Sequence, residues 1–447
     1  MRPDRRRLLQ LSGASLALTA ATPAAHAAPA PKAAAPVEPL VPNSAADQTA
    51  ALQSAIDDAS QRAIPLVLPA GTFQTQTLTL RSGSVITGAG NLTTLVHIGD
   101  GPLLTANGAS QIRLRDLTFD GALRPPGPGD HTALIMLDAC PGLDIAALTI
   151  RNASRNGLAI TGCSGQVSAC TLSDMADAAI FALDSTLTIC GNTLARCGNN
   201  GILVWRKAAG EDGSRLTGNR ISLIRSDAGG SGQNGNGINV FRAGSVQVSG
   251  NTITGCAYSA IRGNAASNLL ITGNHCERIG EVAIYAEFAF TGALIANNLV
   301  DTAATGISVT NFNEGGRLAV VQGNLIRNIH RREHEPVDKR GEGITVEADT
   351  LVSANTIENA QTCGIMLGWG RYMRDVTATG NLIRNTPVGI LVCADKAAGT
   401  AIITANLISA ARDGAIRAHD QGRAFGPDLA REPASSGRVT IAGNAVT

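Results

Sequence analysis

An asparagine recurs at nearly regular intervals from residue 192 onward, and this repeat constrains the fold more than any other feature of the sequence. Gly or Ala precedes each asparagine, and an aliphatic residue usually follows two positions later, as in Gly-Asn-Thr-Ile at 250–253. A fixed period of this length marks a solenoid, in which each unit buries its apolar face only against its neighbours. The repeated asparagines are Asn192, Asn219, Asn251, Asn274, Asn297, Asn324, Asn355, Asn381, Asn406 and Asn444.

A second signature alternates with the asparagine: a small residue, an aliphatic one, any residue, and another small or aliphatic one. Examples are Gly-Ile-Leu-Val at 201–204 and Gly-Ile-Met-Leu at 364–367. Residues alternate between inward and outward positions over four or five positions, which is the period of a β-strand. The asparagine suits a tight turn, because it tolerates left-handed backbone and its amide can bond to the asparagine one coil above. Each repeat is therefore a coil of parallel strands.

These coils resemble the right-handed parallel β-helix of pectate lyases, polygalacturonases and alginate epimerases. The sequence predicts an all-β, single-stranded right-handed parallel β-helix of about 11–13 coils over residues 44–447. A helix over residues 44–61 is expected to cap the first coil, since Ser44 and Asp47 form a capping-box pattern and Leu52, Ile56 and Ala59 fall on one face. This helix and the Leu-Pro-Ala-Gly-Thr-Phe stretch at 68–73 look like the amino-terminal cap of the pectate-lyase-like superfamily.

The first 27 residues look like an export signal. The stretch Asp-Arg-Arg-Arg-Leu-Leu-Gln at 4–10 resembles a twin-arginine motif, and Ala-His-Ala at 25–27 is a small-x-small cleavage site. The alternative is a membrane anchor, but the apolar run is too short to span a bilayer. Residues 28–43 are rich in Pro and Ala and are interpreted as a linker. We therefore expect a periplasmic or secreted protein, exported already folded by the twin-arginine translocase.

The arginine motif and the repeats together resemble a family of twin-arginine-translocated, repeat-containing bacterial proteins of uncharacterised function. That family is defined by the arginine pair and by roughly 23-residue β-helix-like repeats. The steps from Asn251 to Asn274 and from Asn274 to Asn297 have this length. The resemblance implies architecture and export, and it implies no particular reaction.

Charge and cysteine content narrow the range of partners. Without residues 1–27 the formal charge is 32 minus 34, or −2, which argues against general affinity for nucleic acid or membranes. The nine cysteines show neither a Cys-x-x-Cys pair nor a Cys/His spacing suited to zinc. We expect them to be buried thiols that act as small hydrophobes rather than disulfides. Neither a metal nor a cofactor is predicted, and the protein is expected to be a monomer.

Function is expected on the outer face of the strand that carries the second signature, where the β-helix enzymes bind their substrates. Equivalent residues of stacked coils lie ~4.8 Å apart, so outward positions form two rows. Polar residues concentrate between Asn239 and Glu347. The first row is Leu203, Asn239, Arg262, Tyr285, Ser308, Thr345, Met366, Leu391 and Arg417. The second row is Trp205, Phe241, Asn264, Glu287, Thr310, Glu347, Gly368, Cys393 and His419.

Two insertions, at 201–237 and 306–343, bracket this polar segment, and long loops on a rigid scaffold often carry functional residues. The second insertion contains two histidines and four Arg or Lys residues within 330–340. A solvated charged loop is the alternative interpretation, because Glu and Asp are interleaved. The loop leads directly into the strand that precedes Glu347, and this position favours a functional role.

Two reactions could use these groups. In a uronate lyase or epimerase, cations neutralise the sugar carboxylate while a base removes the C5 proton. The candidate cations are Arg262, Arg331 and Arg332, and the candidate bases are Tyr285, His330 and His334. In an inverting hydrolase, Glu287 and Glu347 would be acid and base, since backbones two coils apart (~9–10 Å) allow the ~6.5–9.5 Å carboxyl separation of such enzymes. An ordinary ion pair between Glu287 and Arg262 is the non-catalytic alternative.

Aromatic residues on or after the same strand favour a carbohydrate ligand, and Gly-Trp-Gly-Arg-Tyr at 368–372 is the best candidate for a stacking platform. The candidate substrate-binding residues are Trp205, Asn239, Phe241, Asn264, Arg331, Arg332, Trp369, Arg371 and Tyr372. The catalytic motifs of polygalacturonases, alginate epimerases and pectate lyases are absent, so no family catalytic residue is carried over. The sequence predicts action on an acidic polysaccharide by lyase or epimerase chemistry. Inverting hydrolysis and a non-catalytic carbohydrate-binding or cell-envelope scaffold protein are the alternatives.

Overall fold

The described chain is a right-handed parallel β-helix, as the sequence predicts, and it has about 15 turns. The computed structural model describes residues 39–230, 232–332, 334, 340–432 and 437–447. The expected export signal at 1–27, and residues 28–38 of the expected linker, lie outside the described residues. From residue 66 onward each turn passes through a back sheet, a side sheet and a front sheet.

The back sheet has fifteen strands, one for each turn. They are Leu66–Val67, Val85–Thr87, Arg113–Arg115, Leu143–Ala146, Ser164–Ser168, Thr186–Cys190, Arg215–Thr217, Gln247–Ser249, Leu269–Thr272, Thr291–Ala296, Arg317–Gln322, Thr350–Ser353, Val376–Thr379, Ala401–Thr404 and Val439–Ala442. The turns are more numerous than the 11–13 predicted, because the earliest ones lack the asparagine and glycine signatures by which the sequence was counted.

The side sheet and the front sheet are joined through two long strands, Leu382–Cys393 and Leu407–Asp420, which belong to both. The other side strands are Ser44–Asp47, Gly71–Thr75, Thr93–His97, Thr118–Asp120, Thr149–Arg151, Thr171–Ser173, Thr193–Ala195, Arg220–Ile224, Thr252–Cys256, His275–Ile279, Leu299–Ala303, Leu325–Ile329, Thr356–Ala360 and Ala445–Val446. The other front strands are Leu78–Thr79, Leu104–Asn107, Ala133–Asp138, Asn156–Thr161, Ala178–Leu183, Asn200–Glu211, Asn236–Gly244, Ile261–Asn264, Val282–Glu287, Thr305–Val309, Glu342–Val346, Cys363–Leu367 and the antiparallel Arg423–Asp428.

Stacked aliphatic side chains fill the interior, because parallel strands in register place equivalent residues above one another. Ile238, Ile261, Ile284 and Ile307 form one such stack on the front sheet, and all four are fully buried. Three aromatic rings, those of Phe73, Phe119 and Phe290, are also fully buried in the interior.

The repeated asparagines form a hydrogen-bonded ladder between the back and side sheets, as predicted. For example, the Asn251 side-chain amide donates to Asn274 Oδ1 over 2.9 Å. One member was assigned wrongly, because Asn298 and not Asn297 accepts from Asn274 over 3.0 Å. The left-handed residue of each turn is the one before the ladder asparagine, which at this coil is Asn297 with φ 57°. A residue with two acceptor lone pairs and two amide hydrogens can thus serve the coils on both sides.

The cap helix is shorter than predicted. It spans Thr49–Gln61, because Ser44–Asp47 instead pairs as a strand with Gly71–Thr75. Asp47 accepts a hydrogen bond from the Thr49 backbone N–H over 2.9 Å. The helix buries Leu52, Ile56 and Ala59 on one face, as expected, and covers the first coil.

All nine cysteines are free thiols, and eight of them are buried. Burial raises the pKa of Cys170 to about 11, so this thiol stays protonated near neutrality. The burial of these thiols agrees with the prediction that they act as small hydrophobes. In the part of the chain that the structure describes, no helix combines the length and the apolar character needed to cross a membrane.

Candidate functional site

The front sheet displays three outward rows of side chains rather than the two predicted. The predicted rows are confirmed where the register pairs Arg262 with Tyr285 and Asn264 with Glu287. In each coil the residue of the third row stands three positions before the residue of the first row, and this row places Thr305 beside Glu342. This third row exists because the glycine that follows Thr305 or Glu342 turns inward. At Gly343, for example, a Cβ atom would lie only 2.5 Å from the carbonyl oxygen of Gly364, so a side chain does not fit there. The chain bends there, and the residue before the glycine faces outward.

Arg262 and Glu287, two predicted catalytic residues, form a buried ion pair. The Arg262 Nε and Nη2 atoms donate to the two carboxylate oxygens of Glu287 over 2.7 and 2.9 Å. Asn264 donates to the same carboxylate over 2.9 Å. Glu281 Oε2 lies 3.9 Å from Arg262 Nη1, and Arg340 donates to Glu281 Oε1 over 2.9 Å. Desolvation by burial raises the pKa of Glu287, although the arginine opposes this effect. The two arginines and two glutamates therefore form one compensated network.

A cleft of about 410 Å³ opens on the front sheet next to this network. Its lining includes outward residues of the first row on consecutive coils, which are Tyr285, Ser308, Thr345 and Met366. Thr345 donates a hydrogen bond to Ser308 over 2.9 Å, so two hydroxyl groups are held in place there. Burial raises the pKa of the Tyr285 phenol. The phenol is therefore protonated at neutral pH and needs activation before it could act as a base.

Glu347 lines the same cleft and is 9% exposed. Its Oε2 accepts a hydrogen bond from the backbone N–H of Phe312 over 2.7 Å. Desolvation outweighs this contact and raises the pKa of the carboxyl group to about 7. A carboxyl group with this pKa is half protonated at neutral pH, so it can either donate or accept a proton.

Glu342 is a second carboxyl group on the cleft, and sequence reasoning did not find it. It accepts a hydrogen bond from the Thr305 hydroxyl over 2.8 Å. Burial raises its pKa to about 7, with the Thr305 hydrogen bond and nearby Arg340 opposing the effect. Glu342 begins the front strand Glu342–Val346, and Glu347 follows its last residue. Both carboxyl groups line the cleft.

The predicted aromatic platform forms one wall of the cleft. Trp369 and Tyr372 exchange backbone hydrogen bonds across a tight turn, at 3.3 and 3.0 Å, and both side chains line the cleft. Gly370 has φ 54°, which the turn requires. Arg371 is exposed at the tip, with its guanidinium carbon 6.0 Å from the centre of the Tyr372 ring. Two partly buried aromatic rings therefore face the polar floor.

The second insertion distributes its basic residues over different places. His330 and Arg331 line a separate groove at the corner between the side and front sheets. Arg332 lies 5.8 Å from the centre of the Tyr258 ring and 2.5 Å from His334 Nε2. None of the four predicted residues of this insertion lines the cleft that contains Glu347. These residues are His330, Arg331, Arg332 and His334.

The remaining predicted binding residues lie nearer the amino terminus on the front sheet. Trp205 packs edge-on against Phe181 and Phe241, with ring centres 5.6 Å apart in both pairs. Asn239 is 3% exposed and donates to the Gly232 carbonyl oxygen over 3.3 Å. The first insertion therefore covers this part of the sheet. The sequence pattern indicates one continuous surface for each row. It therefore gave no sign that these residues lie apart from the cleft.

The residues missed at the cleft share a recognisable signal. They stand directly before the small residue of the second signature, or in the insertion leading to it, as with Thr305, Glu342 and Arg340. In the other coils this position holds a small or neutral residue, so the glutamate at 342 could have been recognised from the sequence as a candidate. Among the described residues, no group of three or more His, Cys, Asp or Glu side chains is placed to hold a metal ion.

The fold and the cleft together define a right-handed parallel β-helix protein with a polar, aromatic-walled site on its front sheet. A family model described as a right handed beta helix region matches residues 156–315 and, in an overlapping match, residues 207–346. A comparison with curated proteins gives no match.

Several solved structures share the fold. Gene product 12 of bacteriophage phi29, in its pre-mature form, is 13% identical with a TM-score of 0.50, and the match covers 85% of this chain and 64% of that one. The catalytic unit of a GH87 α-1,3-glucanase from Streptomyces thermodiastaticus is 15% identical with a TM-score of 0.47, covering 91% and 67%. A mannuronan C-5 epimerase module from Azotobacter vinelandii is 17% identical with a TM-score of 0.39, covering 91% and 96%. At these identities the similarity describes the fold alone, and the chain spans about two thirds of the first two proteins.

Proposed function

We propose that this protein cleaves a polysaccharide bound in the front-sheet cleft, with Glu347 as the proton-transferring group. The observation that carries the proposal is a carboxyl group with a pKa of about 7 at the edge of a cleft walled by Trp369 and Tyr372. Aromatic faces stack on sugar rings, while the hydroxyl groups of Ser308 and Thr345 offer hydrogen bonds to sugar hydroxyls. The proposal is therefore a carbohydrate ligand with an acid placed beside it.

Hydrolysis fits the charges of the cleft better than the lyase or epimerase chemistry favoured by the sequence. Elimination and epimerisation need a cation directed at the substrate carboxylate. Arg262 binds Glu287, and Arg340 binds Glu281, so carboxylates already compensate these two arginines, while Arg371 is exposed at the tip of the aromatic wall. A uronate would also meet Glu342 and Glu347. A neutral sugar avoids this repulsion, and Glu347 would protonate the leaving glycosidic oxygen.

The assignment extends only to the proton donor. Glu342 is the other carboxyl group of the cleft, but it is 2% exposed and accepts a hydrogen bond from the Thr305 hydroxyl. Glu287 stands two coils from Glu347 as predicted, and Arg262 and Asn264 occupy its carboxylate. Neither group is therefore assigned as the base that activates water.

The test is product analysis with a matched pair of variants. Purified protein is incubated with neutral and uronic-acid polysaccharides, and the products are identified by mass spectrometry. Glu347→Gln should lower the rate by roughly 10²–10⁴-fold, whereas Glu314→Gln, at an exposed position near Phe312, should leave it unchanged. Saturated ends carrying added water establish hydrolysis, and unsaturated ends establish elimination.

A second candidate, non-catalytic carbohydrate binding, is favoured by the mutual pairing of Arg262 and Glu287. The same experiment separates the two candidates. Full activity in the Glu347→Gln variant contradicts the assignment of the proton donor. If the wild type binds a polysaccharide of the panel but releases no product, the binding protein is the correct description.

Export by the twin-arginine pathway to the periplasm or beyond also stays a proposal, supported by the Asp-Arg-Arg-Arg-Leu-Leu-Gln motif at 4–10. Replacing Arg6 and Arg7 by Lys should retain the protein in the cytoplasm, as measured by cell fractionation. Unchanged export of that variant would contradict the proposal.

A further inference from the structure

A second groove, of about 760 Å³, follows the corner between the side and front sheets. Two rows of side chains line it along the helix axis. One row contains Thr302, Asn328, Asn359 and Asn385, and the other contains His330, Gln361, Pro387 and Arg412. This corner groove is distinct from the cleft that contains Glu347, and none of its lining residues is shared with that cleft.

Hydrogen bonds hold two of the amides of the corner groove, those of Asn328 and Asn359. Asn328 donates to Asp301 over 2.7 Å, and Asn359 donates to Asn328 over 3.2 Å. Asn328, Asn359 and Asn385 all have left-handed backbone, with φ of 58°, 57° and 53°. Polar groups therefore repeat once per coil, ~4.8 Å apart, which is close to the length of one pyranose residue in an extended sugar chain.

The charge of the corner groove is positive. Among its described lining residues are Arg331 and Arg412, and none is acidic. The nearest carboxylates on the side sheet already have cationic partners, since Asp301 pairs with Arg327 at 2.7 Å and Glu358 pairs with Arg384 at 3.2 Å. Asp413 lies 3.8 Å from Arg412, and both side chains are mostly exposed. An exposed pair at that distance is weak, so it leaves Arg412 able to bind an anion.

We propose that the corner groove binds an acidic oligosaccharide, with a uronate chain lying along the helix axis. Arg331 and Arg412 stand at opposite ends of the groove and contact carboxylates, while the amides of Asn359 and Asn385 bond to hydroxyl groups of successive sugars. Arg331 is oriented by donating to Thr362 Oγ1 over 2.9 Å. The proposal does not depend on catalysis by Glu347. It also accounts for basic residues that the front-sheet cleft does not use.

The test measures binding of a galacturonate hexamer by calorimetry at low and high salt, with a neutral glucose oligomer as the comparison ligand. Arg412→Gln should raise the Kd about tenfold, the loss of one charge-assisted contact. The double variant Asn359→Gly, Asn385→Gly removes two amides while keeping left-handed backbone accessible, and it should weaken binding by a similar factor.

Two controls accompany these variants. Arg220→Gln makes the same change in net charge at an exposed position of the side sheet several coils away, and it should bind as the wild type does. Glu347→Gln should also bind normally, which separates this proposal from the proposed function. Unaltered circular dichroism establishes that each variant is folded. The proposal is overturned if the wild type does not bind the hexamer, if the neutral oligomer binds equally well, or if the groove variants bind like the wild type.

Discussion

Arg262 donates two hydrogen bonds to the carboxylate of Glu287, over 2.7 and 2.9 Å, and the two side chains are only 8% and 2% exposed. The residues are adjacent across neighbouring coils although 25 positions separate them in the chain. Two residues that the sequence predicts to be catalytic thus compensate each other's charge. Because this pairing occupies both groups, Glu347 on the same sheet is the better candidate for proton transfer.

Breaking this pair should destabilise the protein strongly. Glu287→Gln removes the closest carboxylate from a buried guanidinium, and such a change costs about 3–5 kcal/mol of the free energy of unfolding. The double variant Arg262→Leu, Glu287→Leu should lose less, because it buries no uncompensated charge. Urea unfolding of the single variants Arg262→Leu and Glu287→Leu and of the double variant measures the coupling. Additive effects of the single changes would show that the pair contributes no coupling.

The rate of polysaccharide cleavage should fall as pH rises through about 7. Glu347 has a pKa of about 7 because burial disfavours its charged form, and a proton donor must be protonated. The activity should therefore be high below this value and decline tenfold per pH unit well above it. A base in an elimination reaction would give the opposite limb, with activity increasing to a plateau above pH 7. The pH–rate profile of the wild type distinguishes the two roles.

Glu342 should make the protein less stable as pH rises. Its pKa is about 7 in the folded state and close to the ordinary glutamate value when unfolded. The unfolded state therefore loses its proton first, and stability declines between about pH 4.5 and 7, by up to about 3 kcal/mol. Glu342→Gln should remove the share of Glu342 and leave that of Glu347, whose pKa is also about 7, whereas exposed Glu314→Gln should leave the decline unchanged. Urea midpoints at pH 5 and pH 8 give the comparison, and an identical decline in all three proteins would contradict the prediction.

The asparagine ladder should tolerate change at Asn297 but not at Asn298. Asn298→Ala removes the acceptor for the Asn274 backbone and side-chain N–H groups and the donor to Ile271. Buried groups left without partners cost about 1–3 kcal/mol each. Asn297→Gly keeps the left-handed turn and should cost little. Thermal unfolding of the two variants measures the difference, and equal losses would contradict the ladder assignment.

Much of the coil could be predicted from the sequence, because a repeated turn and a repeated apolar strand leave few other ways to bury the interior. The Asn251 ladder position and the outward register of Tyr285 both follow from the period alone. Asn298 was missed because two adjacent asparagines fit the same pattern, and only the backbone shows which one turns inward. The earliest coils were undercounted because their turns use other residues.

The sequence by itself determined the parallel β-helix and two of the outward rows, because both depend on a local period repeated in every coil. It determined the capping helix through the apolar face of a single segment. The tertiary structure decided which outward groups meet. It joined Arg262 to Glu287, turned Glu342 outward through the inward bend at Gly343, and placed His330 at the corner and Glu347 in the cleft. These outcomes depend on how insertions fold over the coil and on which charges burial forces to pair. Neither property is periodic, and for that reason the repeat carried no information about them.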